Sequence, residues 1–354
     1  MKFLTYTPWR GQLNNTRMCF ETALILAVIS SRTLVLPRGY RLLGEPEGDG
    51  NAWKPLYPGE FLDFDKIRAV VRMISFEEYR RDHRVGIADV ADLLFETGTA
   101  VFCFPAIPPP GSSEATTLKC FAAGRPHWLE LTPRMRKCRT LNLKSANLEH
   151  FYSFFYFLKK GDETNCKRFI RDYVKFKPEI IGVATAIATR LRHYGAIHIR
   201  RNDFFHQYPE QNISAAQILQ NIRPHIAPHS KLYISTDERD RNFLAVFRGQ
   251  YEVCLLDDFR SMIPAHMPLE SRACVEQLIC SFSTVFVGTR LSTFSGYITR
   301  LRGYRGQADK QILFTDGFST SELDRQGHLP FSWINWMQSG NPWWGREYKE
   351  AWEF

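Results

Sequence analysis

The second half of the chain alternates short apolar runs with longer segments that carry apolar residues at helical spacing. This alternation predicts a parallel sheet flanked by helices, which is a Rossmann-like α/β unit. Strands are predicted over 196–199, 231–235, 251–256, 284–287 and 310–314. Helices are predicted over 179–194, 214–226, 238–247, 268–281 and 293–302.

The start of the chain predicts a second unit of the same class. Apolar runs at 2–6 and 33–36 indicate two strands, joined by a loop over 7–15 and a helix over 16–31. A strand–helix–strand segment of this size favours a right-handed parallel crossover. Between these segments and the second half, the pattern predicts a strand over 100–104 and helices over 149–160 and 166–176.

The length of 354 residues favours two domains. We expect an N-terminal domain over 1–177 and a C-terminal domain over 178–330. The segment 331–354 is rich in tryptophan and is expected to pack back across the domain interface. No apolar run reaches the roughly 18 residues of a membrane span, so no stable membrane insertion is expected.

The net charge of +9 fits an anionic ligand or nucleic acid, but by itself it favours a mildly basic surface, because excess charge alone specifies no partner. The basic run 134–139 is short and lacks interleaved aromatic residues, so nucleic acid is not expected as a partner. The eight cysteines are scattered without a CxxC pair, so no metal site or cofactor is expected, while disulfides stay open. A natural start at Met1 would favour the cytoplasm, and a preceding segment would favour the lumen of the secretory pathway.

The strand predicted over 196–199 ends abruptly in charged residues, His198, Arg200, Arg201 and Asp203. Ligands of open α/β sheets bind outside the carboxyl ends of the strands, and arginine matches the geometry of a phosphate. Arg200 or Arg201 is therefore predicted to hold a diphosphate, with Asp203 orienting an arginine or facing an acceptor. A salt bridge at the end of a strand is the alternative.

Other polar segments are predicted to lie at the same sheet edges, each with a plain structural alternative. Backbone N–H groups and hydroxyls at a helix start can bind phosphate, but the same residues also form ordinary helix caps. The candidates are the loop with Gly11, Asn14 and Asn15, the turn with Ser235 and Asp237, and the helix start with Ser292, Thr293, Phe294 and Ser295. A carboxylate at Asp257 could accept hydrogen bonds from guanine, or belong to a solvated turn.

Taken together, these segments resemble the GDP-fucose-dependent protein O-fucosyltransferases and their α1,6-fucosyltransferase relatives. The resemblance rests on Gly11-Gln-Leu-Asn-Asn15 before Thr33-Leu-Val-Leu-Pro37, on His198–Asp203, on Ser235–Glu238 and on Ser292–Ser295. Phe61-Leu-Asp-Phe-Asp65 also resembles a segment of the family. The match spans residues 2–303, in order and at similar spacing.

The resemblance implies a GT-B fold, with two Rossmann-like domains facing across a cleft and the donor bound mainly by the second. It implies inverting transfer of L-fucose from GDP-β-L-fucose to a protein or glycan hydroxyl, without an obligatory metal. Arg200 would then bind the β-phosphate, and His198 would contact the nucleoside or its phosphates. Residues 292–295 would hold the diphosphate and flank the fucose, and Asn14 and Asn15 would reach across the cleft.

One position departs from the pattern, since a branch of the family carries a catalytic glutamate where this chain has Arg10. Asp203 is the first candidate for the general base, and a base-free route is the second. A different GDP-sugar donor, or a catalytically silent binding protein on the same fold, are the alternative functions.

Overall fold

The structure is a computed structural model that describes residues 1–6, 13–37, 57–82, 90–94, 137–144, 160–307, 312–317 and 319. These residues form two compact units, the first up to Lys175 and the second from Phe176 onward. Each unit is built on a parallel sheet, which confirms the predicted α/β class. The described residues include no helix long and apolar enough to cross a membrane.

The sheet of the first unit has the strand order β3-β2-β1-β5-β4, and all neighbouring pairs are parallel. Its strands are β1 (Phe3–Tyr6), β2 (Thr33–Leu36), β3 (Met73–Ser75), β4 (Val90–Leu94) and β5 (Thr140–Lys144). Its helices are α1 (Leu13–Ile29), α2 (Phe64–Arg68), α3 (Phe76–Asp82) and α4 (Lys160–Tyr173), with a 3-10 turn at Pro58–Glu60.

The sheet of the second unit has the order β10-β9-β6-β7-β8, again with parallel neighbours. Its strands are β6 (Tyr194–Ile199), β7 (Lys231–Thr236), β8 (Glu252–Cys254), β9 (Val285–Gly288) and β10 (Leu313–Phe314). Its helices are α5 (Pro178–Leu191), α6 (Phe204–Gln207), α7 (Ala215–Ile222), α8 (Arg241–Arg248), α9 (Leu269–Phe282) and α10 (Thr293–Gly303). Short 3-10 helices cover Pro209–Gln211 and Leu256–Met262.

Alternate residues of the central strands of the second unit serve two different faces of the sheet. Ile197 and Ile234 join the buried apolar cluster formed with α7 and α8. The residues next to them on each strand serve the other face. These are His198, Tyr233 and Ser235, and their side chains contact residues of α9 and α10. The period of two in each strand therefore separates an apolar core from a face that carries polar groups.

The predicted strands and helices of the second half are all present, with bounds shifted by a few residues. The first half was predicted less completely, because β3, β4 and β5 were not recognised. The prediction that residues 7–15 form a loop was wrong at its end: α1 begins at Leu13, so Asn14 and Asn15 lie inside its first turn. The strand predicted at 100–104, most of the helix predicted at 149–160 and the segment 331–354 lie outside the described residues.

Candidate functional site

The strand order of the second unit defines where a ligand is expected. From β6 the chain moves outward through β7 to β8 and then returns to place β9 on the other side of β6. The point at which this direction reverses lies between β6 and β9, and crevices at such switch points bind the ligands of open α/β sheets. The carboxyl ends of these two strands carry His198, Arg200 and Thr289.

Thr289 joins the two strand ends. Its hydroxyl donates to the carbonyl oxygen of His198 at 2.8 Å and accepts from the backbone N–H of Arg200 at 2.9 Å. Its own backbone N–H donates to the Oγ atom of Ser295 at 2.9 Å. One side chain therefore fixes the end of β6 against β9 and against the first turn of α10. The sequence interpretation did not include Thr289, because its role depends on which strands are neighbours.

His198 is buried beneath this junction. Its Nδ1 atom lies 2.8 Å from Ser295 Oγ, and its ring stacks on Phe294 at a centroid distance of 4.5 Å. Burial, with a smaller contribution from the charge of Arg200, lowers the pKa of His198 to about 3. The imidazole is therefore neutral at physiological pH. The hydroxyl of Ser295, which accepts from Thr289, can donate to Nδ1, and in that tautomer Nε2 carries the proton.

Arg200 is oriented by two carboxylates. Its Nη1 atom donates to Asp237 and its Nη2 atom lies 2.5 Å from Oδ1 of Asp203. The Arg200 side chain is 22% exposed, whereas that of Asp203 is 67% exposed. The guanidinium is thus held in place and still open to solvent at the switch point. Asp203 is the partner that an incoming anion can replace, because it lies at the surface.

Asp237 ties the ends of β6 and β7 together. Its second carboxylate oxygen accepts the backbone N–H of Arg201 at 2.7 Å, and its carbonyl accepts from the side chain of Asn202 at 2.8 Å. The structural alternative for Ser235 and Asp237, that they cap the following helix, was wrong, since Asp240 is the residue that caps α8. The physical reason is that Ser235 is still inside β7 and Asp237 is engaged by the arginines.

The first turn of α10 faces the same crevice. Ser292 occupies the N-cap position, but its side chain does not cap the helix, and the first helical N–H to bond back is that of Gly296. The earlier N–H groups of a helix have no partner within it, and the helix dipole favours an anion there. Ser292, Thr293 and Ser295 are buried, and Phe294 is half-buried.

Leu291, just before this turn, adopts a left-handed backbone conformation with φ of 70°. Such a conformation is costly for a bulky residue and persists only where the surroundings hold it. Its side chain is buried in an apolar cluster with Phe204 and Tyr208, from α6 and the residue that follows it. The turn that presents the α10 start is therefore held by packing against the segment after Arg200.

Glu276 of α9 is a residue of the site region that the sequence interpretation missed. Its carboxylate accepts hydrogen bonds from Ser235 and from the hydroxyl of Tyr233, the latter at 3.3 Å. Burial raises its pKa to about 7, with a smaller contribution from the charge of Asp257. A lone carboxylate among the apolar positions of α9 was the available signal, since Val275, Leu278 and Ile279 around it are all core residues.

The structure does not bring every predicted residue to the switch point. Asp257 lies on a 3-10 helix with its side chain 74% exposed, and it pairs with Arg260 at 3.1 Å. The side chain of Arg201 contacts other groups of the protein instead. In the first unit, Asn14 is buried and Asn15 is partly exposed, while Gly11 lies outside the described residues. The described residues include no cluster of three or more metal-ligating side chains.

A Rossmann strand order with an arginine and a helix start at the switch point is typical of nucleotide-binding α/β proteins. Comparison with known families narrows this class to one family. The chain matches the family described as GDP-fucose protein O-fucosyltransferase over residues 3–305, and it belongs to that family. No curated protein matches the chain.

Solved structures of fucosyltransferases share the fold. POFUT1 in complex with GDP-fucose is 14% identical in one crystal form, with a TM-score of 0.53 over 88% of this chain and 97% of that chain. A second crystal form is 16% identical, with a TM-score of 0.53 over 89% and 98%. Fucosyltransferase NodZ from Bradyrhizobium is 13% identical, with a TM-score of 0.50 over 90% and 98%. These similarities confirm the predicted GT-B fold class.

Proposed function

We propose that this protein transfers L-fucose from GDP-β-L-fucose to a hydroxyl group of a protein or glycan, with inversion at the anomeric carbon. The acceptor oxygen forms a bond to that carbon while the bond to the β-phosphate oxygen breaks and its electron pair leaves with GDP. The proton of the acceptor hydroxyl is lost in the same reaction. The observation that carries the proposal is the position of Arg200 at the switch point, in a chain of this family.

Negative charge develops on the departing diphosphate in this reaction. The guanidinium of Arg200 and the first-turn N–H groups of α10 are fixed donors that can stabilise this charge without reorganising. Such groups supply the positive field that a divalent cation supplies in other transferases. We therefore expect transfer to proceed without added metal.

His198 and Phe294 are proposed to line the nucleotide-binding site. A neutral imidazole with a protonated Nε2 can donate a hydrogen bond to a phosphate or ribose oxygen. The stacked Phe294 ring is half-buried, so it has surface left for an apolar face of the sugar or base. In this proposal Ser292 and Thr293 contribute hydroxyls to the diphosphate.

Glu276 is proposed to read the base, in place of the more exposed Asp257. Guanine presents two adjacent donors, N1–H and the N2 amino group, that match the two oxygens of a carboxylate. Ser235 and Tyr233 hold the carboxylate of Glu276, and its partial burial makes a lost hydrogen bond costly. This supports a preference for guanosine over adenosine or uridine diphosphates.

Asp203 is proposed as the general base. In the structure its carboxylate pairs with Arg200 at 2.5 Å. Binding of the diphosphate gives Arg200 an anion that takes the place of Asp203, which releases Asp203 to accept the proton of the acceptor hydroxyl. The competing route has no base and relies on the stabilised leaving group alone.

The donor is tested by calorimetric titration with GDP-fucose, GDP, GDP-mannose and UDP-glucose, with donor hydrolysis followed in parallel, with and without a chelator. Binding of guanosine diphosphates with fucose-dependent, chelator-resistant hydrolysis is the expected result. Equal or faster hydrolysis of GDP-mannose would replace fucose as the donor sugar. Tight GDP binding without turnover on any glycan or protein acceptor would favour a silent binding protein.

A further inference from the structure

Arg201, the neighbour of Arg200, has its guanidinium enclosed by protein groups. Its Cζ atom lies 4.7 Å from the ring centroid of Phe205 and 4.2 Å from that of Phe243. Its Nε atom pairs with Glu238 at 2.5 Å, and its Nη1 atom donates to the carbonyl oxygen of Ile213 at 2.9 Å. The side chain is 18% exposed.

These contacts use the guanidinium in the way its chemistry favours. The cation lies over two aromatic rings, one nitrogen forms an ion pair with a carboxylate, and another donates to a carbonyl. The rings come from two elements, because Phe205 lies on α6 and Phe243 on α8. Arg201 therefore joins the turn after β6 to the helix after β7.

A short chain of contacts connects this arrangement to Arg200. The backbone N–H of Arg201 donates to one oxygen of Asp237 at 2.7 Å, while the other oxygen of Asp237 accepts from Arg200. The next residue, Asn202, has a left-handed backbone with φ of 53°. Its side chain donates to the carbonyl oxygen of Asp237 at 2.8 Å. The contact of Arg201 with Phe243 holds the same turn against α8.

We propose that Arg201, clamped between Phe205 and Phe243, is a positioning residue that holds Arg200 ready for the diphosphate. Arg201 does not touch the donor in this assignment. It acts through the turn and Asp237 by keeping the Arg200 guanidinium at a fixed angle to the α10 start. The inference rests on the proposed function, because it takes the diphosphate of GDP as the ligand of Arg200.

The test is a double-mutant cycle that uses GDP affinity, measured by calorimetry, as its readout. Phe243→Leu keeps an apolar side chain but removes a ring from the clamp, and it should weaken GDP binding about tenfold in the wild-type background. In an Arg200→Ala background the same substitution should weaken binding less than about twofold, because Phe243 acts through Arg200. Phe205→Leu removes the half-buried ring that α6 contributes, so it should weaken GDP binding in the same way.

Two controls separate positioning from a loss of fold. Phe243→Trp, unlike Phe243→Leu, keeps an aromatic ring next to Arg201, so it should keep most of the wild-type GDP affinity. Ile222→Val, in the same apolar core cluster but on α7, should lower the melting temperature without changing GDP affinity. Equal weakening by Phe243→Leu in both backgrounds would overturn the positioning role alone. Absence of GDP binding by the wild-type protein would overturn the proposed function and this inference together.

Discussion

The imidazole of His198 and the hydroxyl of Ser295 meet at 2.8 Å and join the end of β6 to the first turn of α10. Ser295 also accepts the backbone N–H of Thr289, so a single hydroxyl holds two strand ends and one helix start. This contact explains why a strand end and a helix start that are far apart in sequence form one site. Changes at the junction should therefore affect stability and nucleotide binding together.

Gly288 is the position where this junction tolerates least added volume. A Cβ atom there would lie 2.8 Å from the side chain of Ser295, closer than real contacts allow. Gly288→Ala should lower the free energy of unfolding by about 1–3 kcal/mol, because Ser295 and α10 must move away from β9. Chemical denaturation measures the change, and GDP affinity should fall with it.

Gly182 provides the matched control for that substitution. It lies in α5 with nothing within 4 Å of an added Cβ atom. Gly182→Ala should raise the free energy of unfolding by about 0.5–1 kcal/mol, because alanine favours a helix interior more than glycine does. If the two alanine variants had the same stability, the close packing of Gly288 on Ser295 would be refuted.

Glu276 should make GDP binding depend on pH. Burial raises its pKa to about 7, and the proposed contact with guanine uses the carboxylate form. GDP affinity should therefore rise as the pH increases toward 7 and level off above it. Glu276→Gln should remove this part of the pH dependence and should reduce the preference for GDP over inosine diphosphate, which lacks the N2 amino group.

The raised pKa of Glu276 also affects the stability of the folded protein, and here a rise in pH is unfavourable. A carboxyl whose pKa rises from 4.5 to about 7 on folding binds more protons in the folded state. The contribution of Glu276 to the free energy of unfolding is thus lost as the pH rises between those two values. A stability profile of Glu276→Gln should lack this loss; an unchanged profile would contradict the raised pKa.

Asp203→Asn tests the general base. If Asp203 accepts the proton, the substitution should lower kcat by about 100- to 10,000-fold, because an amide cannot act as a base at neutral pH. The KM for GDP-fucose should change much less, since Asp203 leaves Arg200 when the donor binds. Glu210→Gln, an exposed carboxyl after α6, is the control and should be silent. A kcat within a few-fold of wild type would favour the base-free route.

The second unit could be predicted from the sequence because its pattern is local. The strands at 194–199 and 231–236 are short, mostly apolar runs. The helical segments of this unit carry apolar residues at a clear helical spacing. The same alternation predicted that polar residues after β6 and β9 meet at one edge. The first unit was harder, since β3 has only three residues and no strong pattern around it.

Contacts that depend on tertiary neighbours were not predictable in this way. Nothing in the sequence indicates that Phe243 lies against Arg201, because Arg201 follows β6 whereas Phe243 lies on α8. Glu276 was missed for the same reason, since only the packing of α9 on β7 brings it to Ser235. The assignment of Ser235 and Asp237 as helix caps failed because an equally good cap, Asp240, follows them.

The central claim is that Arg200 stabilises the diphosphate that leaves when fucose is transferred. The most direct measurement is the steady-state rate of GDP release from GDP-fucose by wild-type protein, Arg200→Ala and the exposed control Arg239→Ala. Arg200→Ala should lower kcat by about 100- to 1000-fold while the melting temperature stays within a few degrees of wild type, and Arg239→Ala should keep the wild-type rate. A folded Arg200→Ala protein that releases GDP at the wild-type rate would contradict the account.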